Sequence, residues 1–357
     1  MSIRLPLVLL PIACSLLSAD SGDRIQLTLD TSEADQVLAI LALRGQGQPV
    51  PDAEWGKLIA TEPYRRLQLR EKTVGLKLRD AAAAFTDDDF RRFVLSEDLL
   101  RRRAVLSSVI DRWKKADLRS DAERILVYLP AEATVHAKIC PVIKPRTDSF
   151  IWDISSDPVV FLNLEPGMKL EKFENNVAHE LYHIGLASLG PVYSGKLAGL
   201  PAAAHAAAEW MASFSEGTAM LAAAGGPTVD PHAASSAKER ARWTHDLAEF
   251  NNDLPAVNEF FQGVLNGQFP TSDALQQKGR SFYGIQGPWF TVGYKMSAMV
   301  ERRFGRPALV GAMLDPRCLL VLYNRAATER NSAGRPPLPL WSDDVLAGVR
   351  AGSCGLP

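Results

Sequence analysis

Apolar side chains recur at a helical period along most of this chain and at a strand period in one short region. Residues 32–44 read as a helix, with Ser32 as a candidate cap and Gly45 as a stop. Residues 46–54 are rich in Gly and Pro and read as a loop. From 54 to 118 the pattern is again helical. Thr86 before Asp87, Asp88 and Asp89 marks a helix start. Val94, Leu99, Leu100, Val105, Val109 and Trp113 supply the apolar positions that follow. Near residue 125 the pattern changes. Residues 125–129, 134–139, 150–154 and 159–163 are four strand-like runs separated by turns. Helical spacing then returns with Phe173, Val177, Leu181 and Ile184, and Gly190-Pro191 closes that stretch. The alanine-rich segment 202–224 predicts one helix, ended by Gly225-Gly226-Pro227. Beyond it the chain is mainly helical, interrupted by Asn251, Asn252, Pro255 and a loop at 267–273. A last clear helix runs over 289–304, and Gly305 ends it. Residues 335–339 are a rigid Pro-rich connector, and no internal repeat is present. The pattern predicts a predominantly helical α+β protein with a small sheet just before the 173–189 helix. It also predicts a helical N-terminal lobe over 20–120 and a second domain over 121–357.

The chain has 357 residues, ample for a large core. Its net charge of −1 argues against nucleic acid as the main partner. The basic spots Arg101-Arg102-Arg103 and Lys114-Lys115 sit among acidic residues and read as a solvated helix face. At the N-terminus, Arg4 precedes an apolar stretch from Leu5 to Leu17, followed by Ser18-Ala19-Asp20. That order predicts an export signal over 1–19, cleaved after Ala19. The stretch is too short for a stable membrane span, so the expected location is periplasmic or secreted. A lipoprotein anchored through Cys14 is the lesser alternative. The sequence has four cysteines. Loss of Cys14 with the signal would leave an odd number, hence at most one internal disulfide and a free thiol. Cys318 with Cys354 is one pairing that would tie down the tail. No C-x-x-C occurs, which speaks against a cysteine zinc site.

The most informative residues are His179-Glu180-Leu181-Tyr182-His183. Two histidines four apart on a helix face the same way and can reach one metal ion. The glutamate after the first histidine stands beside the open side of that ion, placed to take a proton from water. A His-Glu-His cluster among apolar neighbours is costly to bury without a metal. Catalytic zinc takes three protein ligands. The third is expected at Glu216, in Ser215-Glu216-Gly217-Thr218-Ala219, where small side chains let two helices approach closely. Glu209, one helical repeat earlier on the expected same face, is the rival, or a support for a ligating histidine. His205 and His232 are weaker candidates, and His136 reads as a strand residue.

His179-Glu180-x-x-His183 with Glu216-Gly217-x-Ala219 downstream resembles the gluzincin metallopeptidases. More narrowly, the chain is similar to an uncharacterised bacterial family of zinc-dependent peptidases. The likeness is carried by His179 to Gly185, by Ser215 to Ala219, and by Val292-Gly293-Tyr294-Lys295-Met296 running on to Glu301 and Phe304-Gly305-Arg306. Leu186 and Leu189 stand where the other large zinc-peptidase subclass needs Gly and His. The resemblance implies a zincin-like fold, one zinc per chain on His179, His183 and Glu216, and Glu180 as general base. The expected reaction is hydrolysis of a peptide or protein substrate. Tyr294 is the expected oxyanion donor, with Tyr283 and His232 as alternatives. Two other readings stand beside it: an exported helical binding module with a structural or vestigial zinc, and a zinc amidase acting on cell-wall material.

Overall fold

The structure is a computed structural model that describes residues 24–78, 86–146, 148–351 and 354. The expected export signal and Cys14 lie outside the described residues. The described part is predominantly helical with a small mixed sheet, an α+β fold.

Strand β1 (Ile25–Leu29) leads into helices α1 (Ser32–Gly45), α2 (Asp52–Ala60), α3 (Glu62–Leu78), α4 (Asp87–Val94), α5 (Glu97–Trp113) and α6 (Leu118–Leu126). Thr86 caps α4 as its sequence predicts: its hydroxyl accepts the Asp89 N–H, and the Asp89 carboxylate reaches back to the Thr86 N–H. At α1 the cap position falls on Thr31 rather than Ser32, with no side-chain cap bond.

Strands β2 (Val135–Val142), β3 (Phe150–Trp152) and β4 (Val159–Asn163) complete the sheet, in the order β1-β2-β4-β3. β1 and β2 are parallel, with Ile25 opposite Val135, and so are β2 and β4. β3 runs antiparallel to β4 and forms one edge. β4 is buried along its whole length because both faces of the sheet are covered. Alternation turns Val160 and Leu162 into the main core, while Val159 and Phe161 meet Leu67 of α3 on the other face.

One expected strand is overturned. Residues 125–129 are not a strand: Ile125 and Leu126 end α6, and a turn follows. The Asp117 side chain caps that helix by accepting the Ser120 N–H at 3.0 Å. Leu118, Ala122, Ile125 and Leu126 then bury one helical face. The fourth strand comes instead from residues 25–29, which pair across the sequence boundary expected near residue 120.

Helix α7 (Leu170–Ala187) follows the sheet, and α8 (Gly190–Leu197) re-enters helix immediately after Gly190-Pro191. The alanine-rich segment is not one helix. It divides into α9 (Ala202–Met211), a 3-10 turn at Ala212–Phe214 and α10 (Ser215–Ala224). Helices α11 (Ala237–Ala248), α12 (Phe250–Leu265), α13 (Ser272–Ser281), α14 (Pro288–Phe304), α15 (Arg306–Leu314), α16 (Pro316–Ser332) and α17 (Asp343–Gly348) complete the chain. Pro255 does not interrupt; it sits inside α12, whose break from α11 falls earlier, at Glu249. Cys318 and Cys354 form a disulfide that ties the C-terminal tail to α16, and Cys140 is a buried free thiol.

Candidate metal centre

Helix α7 buries Phe173, Val177, Leu181 and Ile184, the spacing read from sequence, and Phe173 stacks on Trp113 at 4.2 Å. Gly185 is needed on that buried side. A Cβ there would meet the Leu129 side chain at 2.4 Å. Burying this stripe turns His179 and His183 together toward α10, their rings 4.8 Å apart between centres.

Glu216 arrives from the first turn of α10. Its Oε2 lies 3.2 Å from Nε2 of His179 and 3.3 Å from Nε2 of His183, and the two Nε2 atoms are 3.2 Å apart. What holds α10 in place is a close crossing with α14. A Cβ on Gly217 would stand 2.0 Å from the Tyr294 nitrogen, and one on Gly293 would stand 2.5 Å from the Phe214 carbonyl oxygen. Backbone meets backbone there because neither residue carries a side chain. Phe290 of α14 lies parallel to the His179 ring at 6.4 Å.

The three donor atoms fit one metal ion of zinc's size. Bonds of about 2.0–2.1 Å to a tetrahedral ion put neighbouring donors about 3.3 Å apart. The three observed separations lie at that value, and no other group of three such side chains among the described residues comes together in this way. Two imidazoles and a carboxylate are also the donor chemistry that suits zinc. Burial alone would push the Glu216 carboxyl up, but the facing imidazoles, His183 foremost, hold it well below the usual carboxylate range. Burial pushes the Glu180 carboxyl up, an effect the two histidines only partly offset.

Glu180, His183 and Glu216 line a cleft of about 410 Å³. Its other walls are mostly apolar: Ile151 at the β3 edge, Leu186 and Leu189 after the motif, and Met313 and Leu314 from α15. These wall residues carry no sequence signal, because an apolar residue facing a cleft reads like one facing a core.

Residues 55–332 match the family described as "Putative zinc dependent peptidase (DUF5700)". The chain belongs to this family. The match spans α7, α10 and α14, and so includes all three donors and the crossing that positions them. No curated protein and no solved structure matches the chain.

The remaining candidates are scattered. Glu209 does not share the face of Glu216, because the 3-10 turn separates their helices; it is exposed and pairs with His205 at 3.6 Å. The structure does not bring Tyr294 to the cleft. Its hydroxyl lies 3.5 Å from the Val229 carbonyl, its ring packs edge-on against Trp243, and it lines a separate cavity. His232 is held by Ser235 and Gln286. Tyr283 pairs with Ser213 at 2.9 Å, and its phenol feels the charge of Glu216 after the larger effect of burial. His136 is a strand residue, opposite Gln26 in the sheet.

Proposed function

We propose that this chain is a zinc metallopeptidase of the gluzincin type, with His179, His183 and Glu216 holding one zinc ion and Glu180 as general base. The observation that carries the reading is the donor triangle, whose edges match a tetrahedral ion of zinc's size. Zinc bound there would supply Lewis-acid polarisation of water and of a scissile carbonyl. Glu180 lines the same cleft, where it accepts the proton of the attacking water and passes it to the leaving amine. Its burial raises the carboxyl pKa, an effect the two histidines partly offset. For the oxyanion we take Tyr283 over Tyr294, because the Tyr294 hydroxyl lines a separate cavity while Tyr283 pairs with Ser213 in the turn just before Glu216. The β3 edge beside the cleft offers main-chain groups for an extended peptide, as in a zincin-like core.

The apolar walls favour a peptide with a large apolar side chain beside the cut bond over glycan-linked cell-wall material. A merely structural zinc has no use for an acid like Glu180 in an open cleft. Export accords with the Cys318–Cys354 disulfide, which suits an oxidising compartment. No helix among the described residues is long and apolar enough to cross a membrane.

The test is metal content of the purified chain beside Glu216→Ala and Glu209→Ala variants. Wild type and Glu209→Ala should each hold about one zinc, and Glu216→Ala should lose most of it. A folded wild type that takes up no zinc when supplied with it would refute the reading.

A further inference from the structure

A second cavity, of about 730 Å³, gathers positive charge without neutralising it. It lies between α11, α14, α16 and the 227–231 loop. Its wall carries Lys295, Arg302 and Arg330 against one carboxylate, Asp230. That carboxylate is already engaged, accepting the His232 backbone N–H at 2.8 Å. Arg302 donates to the Pro227 carbonyl, and Arg330 to the Pro336 carbonyl at 2.5 Å. The Lys295 ammonium lies 4.2 Å from the centre of the Phe250 ring. Among the described residues none of the three cations has an acidic partner. Nearby arginines behave differently: Arg303 and Arg325 pair with Glu329, and Arg306 with Glu301. The chain as a whole is nearly neutral, so this local excess does not follow from composition. Burial and the Arg330 charge both press Lys295 toward its neutral form. Trp243 and Tyr294 supply an aromatic wall, edge to face with ring centres 5.2 Å apart.

We propose that this cavity is a binding site for a small organic anion, with its acidic head among Lys295, Arg302 and Arg330 and its apolar body against Trp243 and Tyr294. An anion there relieves the repulsion between Lys295 and Arg330. The planar guanidinium groups suit the paired oxygens of a carboxylate or a phosphate. The aromatic wall selects an organic anion over a bare inorganic one.

Calorimetric titration of the zinc-loaded full chain with phenyl phosphate, phenylacetate and inorganic phosphate tests this. At least one aromatic probe should bind saturably and more tightly than inorganic phosphate; the better of the two identifies the head as phosphate or carboxylate. Lys295→Met and Arg330→Ala should each weaken that binding roughly tenfold, with zinc content and melting temperature unchanged. A Glu216→Ala chain should bind the probe as wild type does, which separates this site from the metal cleft. Absence of saturable binding by any probe would overturn the proposal. So would equal affinity for inorganic and phenyl phosphate, binding untouched by both cavity substitutions, or binding lost with Glu216→Ala.

Discussion

Replacing Gly217 by Ala should break the metal centre without touching a ligand. The added methyl would stand 2.0 Å from the Tyr294 nitrogen and 2.4 Å from both the Gly293 carbonyl carbon and the Phe290 carbonyl oxygen. All three are main-chain atoms of α14, so no side chain can swing aside. Carbon contacts become favourable only near 3.5 Å, so the two helices must part by about 1.5 Å. Overpacking of this kind costs about 1–3 kcal/mol and more where backbone must move. The better helix propensity of Ala returns about 1 kcal/mol. We expect a net loss of about 2 kcal/mol, or roughly 3 °C in melting temperature for a chain of this size. Glu216 is the preceding residue, and its Oε2 now sits 3.2 and 3.3 Å from the two imidazole nitrogens. Moving it by even part of that distance spoils the tetrahedral spacing, so zinc should be lost as well. The assay is thermal unfolding of the metal-free chain, together with zinc content after loading. Gly56→Ala is the control. Gly56 is exposed on α2, nothing lies within 4 Å of its would-be methyl, and the change there should stabilise slightly. A Gly217→Ala chain that melts no lower than wild type and keeps its zinc would refute the account of how α10 is positioned.

Two further outcomes are expected. Glu180→Gln should keep zinc and lower peptide hydrolysis by about 100-fold or more; wild-type turnover in that variant would sink the base assignment. Glu33 gives a pH signature independent of the metal centre. Its carboxyl is fully buried; one oxygen accepts the Ile143 N–H at 2.9 Å and the other has no partner. Burial pushes its pKa from 4.5 to about 8, an effect that bond only partly offsets. The folded chain therefore keeps a proton that the unfolded chain has released. The stability this contributes is fully present below pH 4.5 and is lost as pH rises through about 8. The slope approaches 1.4 kcal/mol per pH unit, roughly, in that window. Glu33→Gln should flatten the slope and leave the variant the more stable chain at about pH 9. Urea midpoints of both proteins from about pH 5 to pH 9 measure it, and parallel profiles would discard the idea.

The readable parts of the chain were those set by neighbours in sequence. Phe173, Val177, Leu181 and Ile184 bury one stripe of α7, and the four-residue spacing of His179 and His183 then aims both rings one way whatever surrounds them. The capping box at Thr86 is equally local. The 125–129 run misled because a short apolar stretch suits a strand or the end of a buried helix, and the Asp117 cap decided for helix. Residues 20–30 read only as a polar, extended start, and the place of 25–29 as strand β1 depends on a partner more than a hundred residues away.

Sequence by itself determined that His179 and His183 share one helix face, that Glu180 stands beside them and that the chain is predominantly helical, since each rests on contacts within a turn or two of helix. It also singled out Glu216, through the small residues around it. Only the tertiary structure separated Glu216 from Glu209, because a 3-10 turn changes the direction of the chain between them. Only the crossing of Gly217 with Gly293 brings that carboxylate to the histidines, and that same packing carries the Tyr294 hydroxyl to another cavity. Helix period tells which residues share a face. Which face meets which is settled by side-chain volumes on elements far apart in the chain, and no local pattern encodes that.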